Sequence, residues 1–382
     1  MFFFIASTII GLAASAVTIK ILVGYATLKW WLKLIIAALI LFGWFGHSAM
    51  WSLRHHDMLS PLAYKIYAYA AYIGLGFCFI LLALLLARDC LWLLSYGVGK
   101  LAHLSWFVRF SPFNDAYVNV ANAFTVLLAI TLTGWGVFEG VKSPAIKEIT
   151  ISDSKIKEPF KIVQINDLHI NRTTSVEKIE RLVAKVDTLD ADIIALVGDL
   201  ADELPARIMP QMTALSKLKA KYGIFTVFGN HDFYAGVIPW LKAFKELNLG
   251  PLFNNGMEVN GNIYIAGIPD KSIDASGLFG KIDIKRAFAD NKDNLYAVLL
   301  SHSPLFSEEP LSGFDLQLSG HTHGGQIFPF HFLVKSANKY LAGLYQEDGY
   351  KVYVSRGAGY WGPPMRLFAP SDITVINLRP QE

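Results

Sequence analysis

Cysteine is almost missing from this sequence: there are two in 382 residues, Cys78 and Cys90, and both lie in or beside apolar runs. The polar half has none, which excludes a disulfide framework there. It also excludes a thiolate metal site and a Cys-based zinc finger. Net charge of either sign is scarce as well, at +3 overall. Lys217, Lys219 and Lys221 are the only basic cluster of the polar half, and they read as a solvated helix face. Nothing in this charge distribution argues for nucleic acid as a partner. Charged side chains are sparse before Glu139 and frequent after Lys142. What is abundant is apolar: 53% of residues, against about 45–50% for an ordinary soluble protein.

That excess is concentrated at the N-terminal end and divides the chain into a membrane-spanning part, residues 1–142, and a polar part, residues 143–382. Four stretches have the length and composition to cross a hydrocarbon core, which takes about 20 helical residues: 2–19, 34–51, 66–87 and 117–138. Trp30, Trp31, Trp44, Trp51, Tyr64, Tyr67 and Trp135 fall near their ends, as interfacial aromatics do. Residues 91–110 are apolar but broken by Gly97, Gly99, Lys100 and His103, and are expected to lie in the interface. His55, His56 and Asp57 form a ligand-rich triplet read as a solvated turn. Asn119 and Asn122, at i and i+3, are read as hydrogen-bonding between helices. Lys20, Lys29, Lys33, Arg88, Lys100 and Arg109 share one side of the membrane, against Arg54, Lys65, Lys142 and Lys147 on the other. The positive-inside rule then puts the polar part on the extracytoplasmic face of an inner membrane.

After Lys142-Ser143-Pro144, an exit linker, short buried-strand runs alternate with helical periodicity. Strands are expected at 160–166, 192–197, 223–228, 262–266, 295–301, 314–318, 350–355 and 372–378, and helices at 175–189 and 205–222. Such alternation predicts βαβ units and an α/β sandwich. Ligand-type residues sit just past strand ends: Asp167-x-His169, Gly198-Asp199, Gly229-Asn230-His231-Asp232, Ser301-His302 and Gly320-His321-Thr322-His323. Loops at the C-terminal ends of strands converge on one crevice. Carboxylates, an amide oxygen and imidazoles together suit divalent Mn, Fe or Zn.

These five motifs, in this order, resemble the calcineurin-like metallophosphoesterase superfamily, and they span essentially the whole polar half. Gly324-Gly325-Gln326 and the segment from Ser355 to Phe368 are similar to its bacterial membrane-associated branch. The resemblance implies a β-sandwich flanked by helices and a centre for two divalent metal ions, with Mn placed first and Fe or Zn as alternatives. Asp167, His169 and His323 would hold one ion, Asn230, His302 and His321 the other, and Asp199 would bridge them. A hydroxide shared by two such ions would attack phosphorus in line with the leaving oxygen. His231 would be the non-ligand catalytic histidine, stabilising transition-state charge or protonating the leaving group. Asp232 could orient its ring.

The implied activity is hydrolysis of a phosphodiester, phosphomonoester or pyrophosphate by a membrane-anchored enzyme. Its partners would be the bilayer and a phosphorylated small-molecule or lipid substrate, lipid-linked or nucleotide-type. The contrasting reading is a membrane sensor or scaffold with a catalytically silent domain, but no ligand position is lost. Arg356 and Arg366 could grip a phosphate or form structural ion pairs, and Arg172 is a further candidate. His331 is read as structural. Phe328, Phe330, Phe332, Trp361 and Phe368 could form an apolar lip facing lipid, but core packing is the expected use.

Overall fold

The computed structural model describes residues 2–24, 26–50, 53, 58–104, 115–272, 281–292, 294–305 and 311–381. The chain forms two compact units: Met1–Val141 with Gly362–Leu367, and Lys142–Trp361 with Phe368–Glu382.

The first unit is helical. Helix α1 (Phe2–Ile19) continues as a π-helical stretch, Lys20–Gly24. Helix α2 (Trp30–Phe45) runs into a 3-10 turn, Gly46–Ala49. Helices α3 (Pro61–Leu101) and α4 (Asp115–Val141) follow. Among the described residues three helices are long and apolar enough to cross a membrane: Trp30–Ala49, Pro61–Leu101 and Tyr117–Val141. The first expected span, 2–19, coincides with helix α1, and Thr8–Gly24 is apolar.

Residues 91–101, expected to be broken at Gly97, Gly99 and Lys100, instead continue helix α3. It is one uninterrupted helix of 41 residues, about 60 Å long at 1.5 Å per residue, roughly twice the hydrocarbon thickness. Ser60 caps its start, accepting from Ala63 N at 3.3 Å, with Pro61 in the first turn. Gly97 and Gly99 cost about 1 kcal/mol each, too little to break a run otherwise made of good helix formers. Residues 105–110 and the triplet His55-His56-Asp57 lie outside the described residues.

Small residues let α2 and α3 cross closely: a Cβ on Gly43 would collide with Cys78 Sγ and lie 3.0 Å from Gly74 O. Asn119 and Asn122 bond across the unit, as read from sequence. Asn119 Nδ2 donates to Thr27 Oγ1 at 2.8 Å, and Asn122 Oδ1 accepts from Arg88 Nη1 at 2.6 Å.

The second unit is the expected α/β sandwich. Its eleven strands among the described residues are β1 (Ala145–Asp153), β2 (Phe160–Ile165), β3 (Ile193–Val197), β4 (Ile224–Val227), β5 (Asn255–Val259), β6 (Ile263–Gly267), β7 (Tyr296–Leu300), β8 (Leu316–Ser319), β9 (Gly343–Glu347), β10 (Tyr350–Val354) and β11 (Asp372–Pro380). One sheet has the order β1-β11-β2-β3-β4 and the other β5-β6-β7-β8-β10-β9. Side chains alternate along the central strands. Phe160 and Ile162 of β2, with Ile193 and Val197 of β3, face Ile265, Val298, Leu300 and Leu318 of the other sheet. Val163, Ile165, Ile194 and Leu196 point the opposite way, into a core shared with Leu182 and Val186 of α5 (Val176–Asp187), Met212 of α6 (Pro205–Leu215) and Trp240 and Phe244 of α7 (Val237–Glu246). A third core covers the outer face of the second sheet, around Tyr264, Leu299 and Val352.

Helix α6 stops at Leu215 and is kinked at Ile208, two residues before Pro210, rather than running to 222. Proline removes a helical donor and restricts the residues before it. Strand β1 was not expected after the exit linker. Its register along β11 (Ala145 opposite Asp372) is a long-range pairing that its own half-exposed sequence does not announce.

Candidate metal centre

The five motif loops leave the C-terminal ends of β2, β3, β4, β7 and β8, three strands from one sheet and two from the other. The runs β2-β3-β4 and β7-β8 are parallel, so their ends share an edge. To aim side chains inward, the backbone leaves the ordinary regions. Asp167, His169, Asp199, His321 and His323 all have left-handed φ, between 47° and 69°. A non-glycine residue pays for that conformation, and such strain collects at functional sites. Gly229 supplies close approach rather than strain: a Cβ there would collide with Asp199 Oδ1.

Three overlapping groups of donors result: Asp167, His169 and His323; His169, Asp199 and His231; and Asp199, His302 and His321. His323 Nε2 lies 3.4 Å from Asp167 Oδ1 and 3.1 Å from His169 Nε2. His302 Nε2 lies 3.2 Å from Asp199 Oδ2, which is 3.7 Å from His169 Nε2. Asn230 Oδ1 is 3.0 Å from His321 Nδ1. Asp199 stands between the two sets, and the seven residues named from the motifs are gathered at one place.

The tautomers favour a cation here. His302 Nδ1 donates to Val197 O at 2.9 Å, so Nε2 is the atom that faces Asp199; burial would lower this ring, but Asp199 and Asp167 raise it well above its ordinary range. That Nε2 is buried without a well-formed hydrogen bond, an arrangement a buried nitrogen avoids unless something else binds it. His169 Nδ1 donates to Asp202 Oδ1 at 2.8 Å, so its Nε2 is the atom that faces His323 Nε2. These two Nε2 atoms, 3.1 Å apart with Asp167 beside them, are close enough for one cation to bind both. Carboxylates hold the other ring nitrogen of metal-binding histidines in this way.

The electrostatics agree. Burial alone would raise the Asp199 carboxyl, but His302, His169 and His231 overturn that and hold it well below its usual range. Burial would lower His169, yet Asp202, Asp199 and Asp167 lift it to about 9. A field that stabilises imidazolium also stabilises a cation. His321 is pushed down to about 4 by burial and by His302, so its ring is neutral with a lone pair available.

Asp232 does not orient His231. Its Oδ1 accepts from Leu200 N and Ala201 N, both at 3.0 Å, and its Oδ2 from Gly229 N at 2.8 Å. This carboxylate ties the loop after β4 to the loop after β3, and burial followed by Asp199 raises it to about 7. The partner of His231 is Asp202, whose Oδ1 accepts from His231 Nδ1 at 2.9 Å while also accepting from His169. Asp202 was missed in the sequence. The available signal was its place three residues after Asp199, where one loop can present both carboxylates. Replacing it with asparagine is expected to lower metal affinity and turnover by roughly 10–100-fold. Titration calorimetry with Mn²⁺ beside steady-state kinetics would check this, and unchanged values in both would show that Asp202 positions neither ring.

Other residues sort plainly. Arg366 is fully buried, so it cannot meet a substrate. Arg172 pairs with Glu203 at 3.0 Å. The aliphatic stem of Arg356 lies over Gly324. Trp361 borders the centre, its ring 6.0 Å from that of His231. Phe328, Phe332, Trp361 and Phe368 are exposed rather than core residues, and Phe330 is partly exposed.

Fold and donor set together define the class: an α/β sandwich protein that gathers carboxylates and imidazoles at one sheet edge for divalent cations. The family model for calcineurin-like phosphoesterase matches residues 160–325. An uncharacterised metallophosphoesterase of Campylobacter jejuni is 36% identical over 257 residues, 66% of this chain and 68% of that protein. One from Helicobacter pylori is 37% identical over 249 residues, 64% of this chain and 67% of the other. A Bos taurus transmembrane protein with metallophosphoesterase domain is 30% identical over 275 residues, 67% of this chain and 62% of its own length. The chain belongs to the metallophosphoesterase family.

Proposed function

We propose that the chain is a membrane-anchored phosphoesterase working with two divalent cations. Asp167, His169 and His323 would hold one, and Asn230, His302 and His321 the other, with Asp199 shared. The observation that carries this reading is the buried, unsatisfied Nε2 of His302 facing Asp199, beside the opposed Nε2 atoms of His169 and His323. When bound, the ions would activate water for attack and neutralise phosphoryl oxygens. The protein's own part is orientation and proton handling. His231 stands at the rim, partly exposed and held by Asp202, where its free Nε2 can donate to a leaving oxygen. Trp361 and Tyr234 flank its ring and limit the positions it can take.

Substrates of this reading are phosphodiesters, phosphomonoesters or pyrophosphates, and the anchor favours one that resides at a membrane. The sequence's basic loops support an extracytoplasmic site in an inner membrane.

Stripping the purified full chain of metal and adding Mn²⁺ is expected to restore hydrolysis of chromogenic mono- or diesters, saturating near two ions per chain. Absence of turnover with Mn²⁺, Fe²⁺ or Zn²⁺ on a folded, metal-loaded protein would rule the enzyme reading out.

A further inference from the structure

The loop that carries His323 does not return to the core. It passes through Gln326, which holds Trp361 by two bonds: Nε2 donates to Trp361 O at 2.8 Å, and Trp361 N donates to Oε1 at 2.9 Å. It then presents Phe328, Phe330 and helix α8 (His331–Ala337), where Phe332 and Leu333 are exposed. Phe328 touches both Phe332 and Phe368, with ring centroids 6.0 and 5.7 Å apart. Phe332 is 63% exposed and Phe368 68%, whereas large aromatic clusters on soluble surfaces are ordinarily covered.

Phe368 has φ of +62°, a strained choice for a bulky side chain, and that backbone turns the ring outward. Segment 324–346 contains no Asp or Glu and carries Lys335 and Lys339, the latter paired with Glu347 at 2.7 Å. Lys335 is exposed one helical turn from Phe332. Trp361 and Phe368 are also the residues on either side, along the chain, of Gly362–Leu367. That segment belongs to the helical unit, where Arg366 N donates to Gly136 O at 2.8 Å. Exposed aromatic side chains with a lysine beside them are what the headgroup region of a bilayer accepts.

We infer that the Phe328–Phe332–Phe368 surface docks into the interfacial layer of the bilayer, so that the metal centre opens at headgroup level. Resting on the phosphoesterase reading, this narrows the substrate to an amphiphile whose phosphate lies in that layer and whose apolar part stays in the membrane. Water-soluble phosphoesters would be turned over without help from the aromatic surface.

The test uses the full chain in phosphatidylcholine–phosphatidylglycerol nanodiscs, with Cys90→Ser and a single new cysteine by Phe332→Cys, Phe368→Cys or Lys242→Cys. An NBD dye at 332 and 368 should shift to the blue and be quenched by doxyl-labelled lipids, while a dye at 242 should do neither. Equal, weak quenching at all three sites would overturn the proposal. So would a blue shift without lipid quenching that vanishes on dilution, because a second copy of the chain would then be the partner. In a second arm, Phe332→Asp with Phe368→Asp should lower turnover of a bilayer-presented phosphoester roughly tenfold, about 1.4 kcal/mol, and leave a soluble chromogenic ester unaffected. Equal turnover of the bilayer ester by parent and variant would overturn it too. If the parent chain turned over neither ester, the phosphoesterase reading would fail, and the quenching result would still decide docking.

Discussion

Asp199→Asn is expected to reduce metal-dependent hydrolysis on the order of 10³-fold or more, the scale on which groups needed in the transition state act. The substitution keeps size and removes charge. Asp199 lies 3.2 Å from His302 Nε2 and 3.7 Å from His169 Nε2, and His231 N donates to its Oδ1 at 2.8 Å. Without the carboxylate, His302 and His169 lose the strongest influence shared between them, and the two ligand sets lose their common member. Metal content by mass spectrometry should fall below two ions per chain, together with kcat. Wild-type turnover in the Asn variant would show that Asp199 is not the shared ligand. Burial of an amide in place of a paired carboxylate also perturbs stability, so thermal unfolding is measured alongside to confirm a folded variant.

His231→Gln should separate chemistry from metal binding. His231 belongs to one donor group with His169 and Asp199, yet its Nδ1 is committed to Asp202 and its side chain is 21% exposed at the rim. As a proton donor rather than a ligand, it should cost about 10²–10⁴-fold in kcat when removed, with two ions still bound. The loss should shrink for substrates with acidic leaving groups such as nitrophenol, which need no proton. A variant that instead lost one ion per chain would make His231 a ligand and demand a different division of the seven residues.

Much of the centre was legible because its parts are local. D-x-H, G-D, G-N-H-D and G-H-x-H each occupy a few residues after a strand whose apolar run is itself readable. What was not legible was which carboxylate serves which ring. Asp232 is adjacent to His231 in sequence, but on the short helix Asn230–Tyr234 neighbouring side chains diverge by about 100°, and Asp232 turns inward to backbone amides. Asp202 reaches the same ring from another loop. The aromatic surface was misjudged for a related reason: composition reports that Phe328, Phe332 and Phe368 are apolar, but the solvent they meet is set by the loop's exit direction and by the left-handed backbone at Phe368.

The sequence by itself determined the division between an apolar and a polar part, the strand–helix alternation and the set of donor residues, because hydrophobic periodicity and turn chemistry act over short spans. Only the tertiary structure decided that two sheets deliver their donors to one edge, that Asp202 serves two histidines, and that β1 pairs with β11. Each of these depends on contacts between residues far apart in the chain, whose free energy exists only once the fold has brought them together.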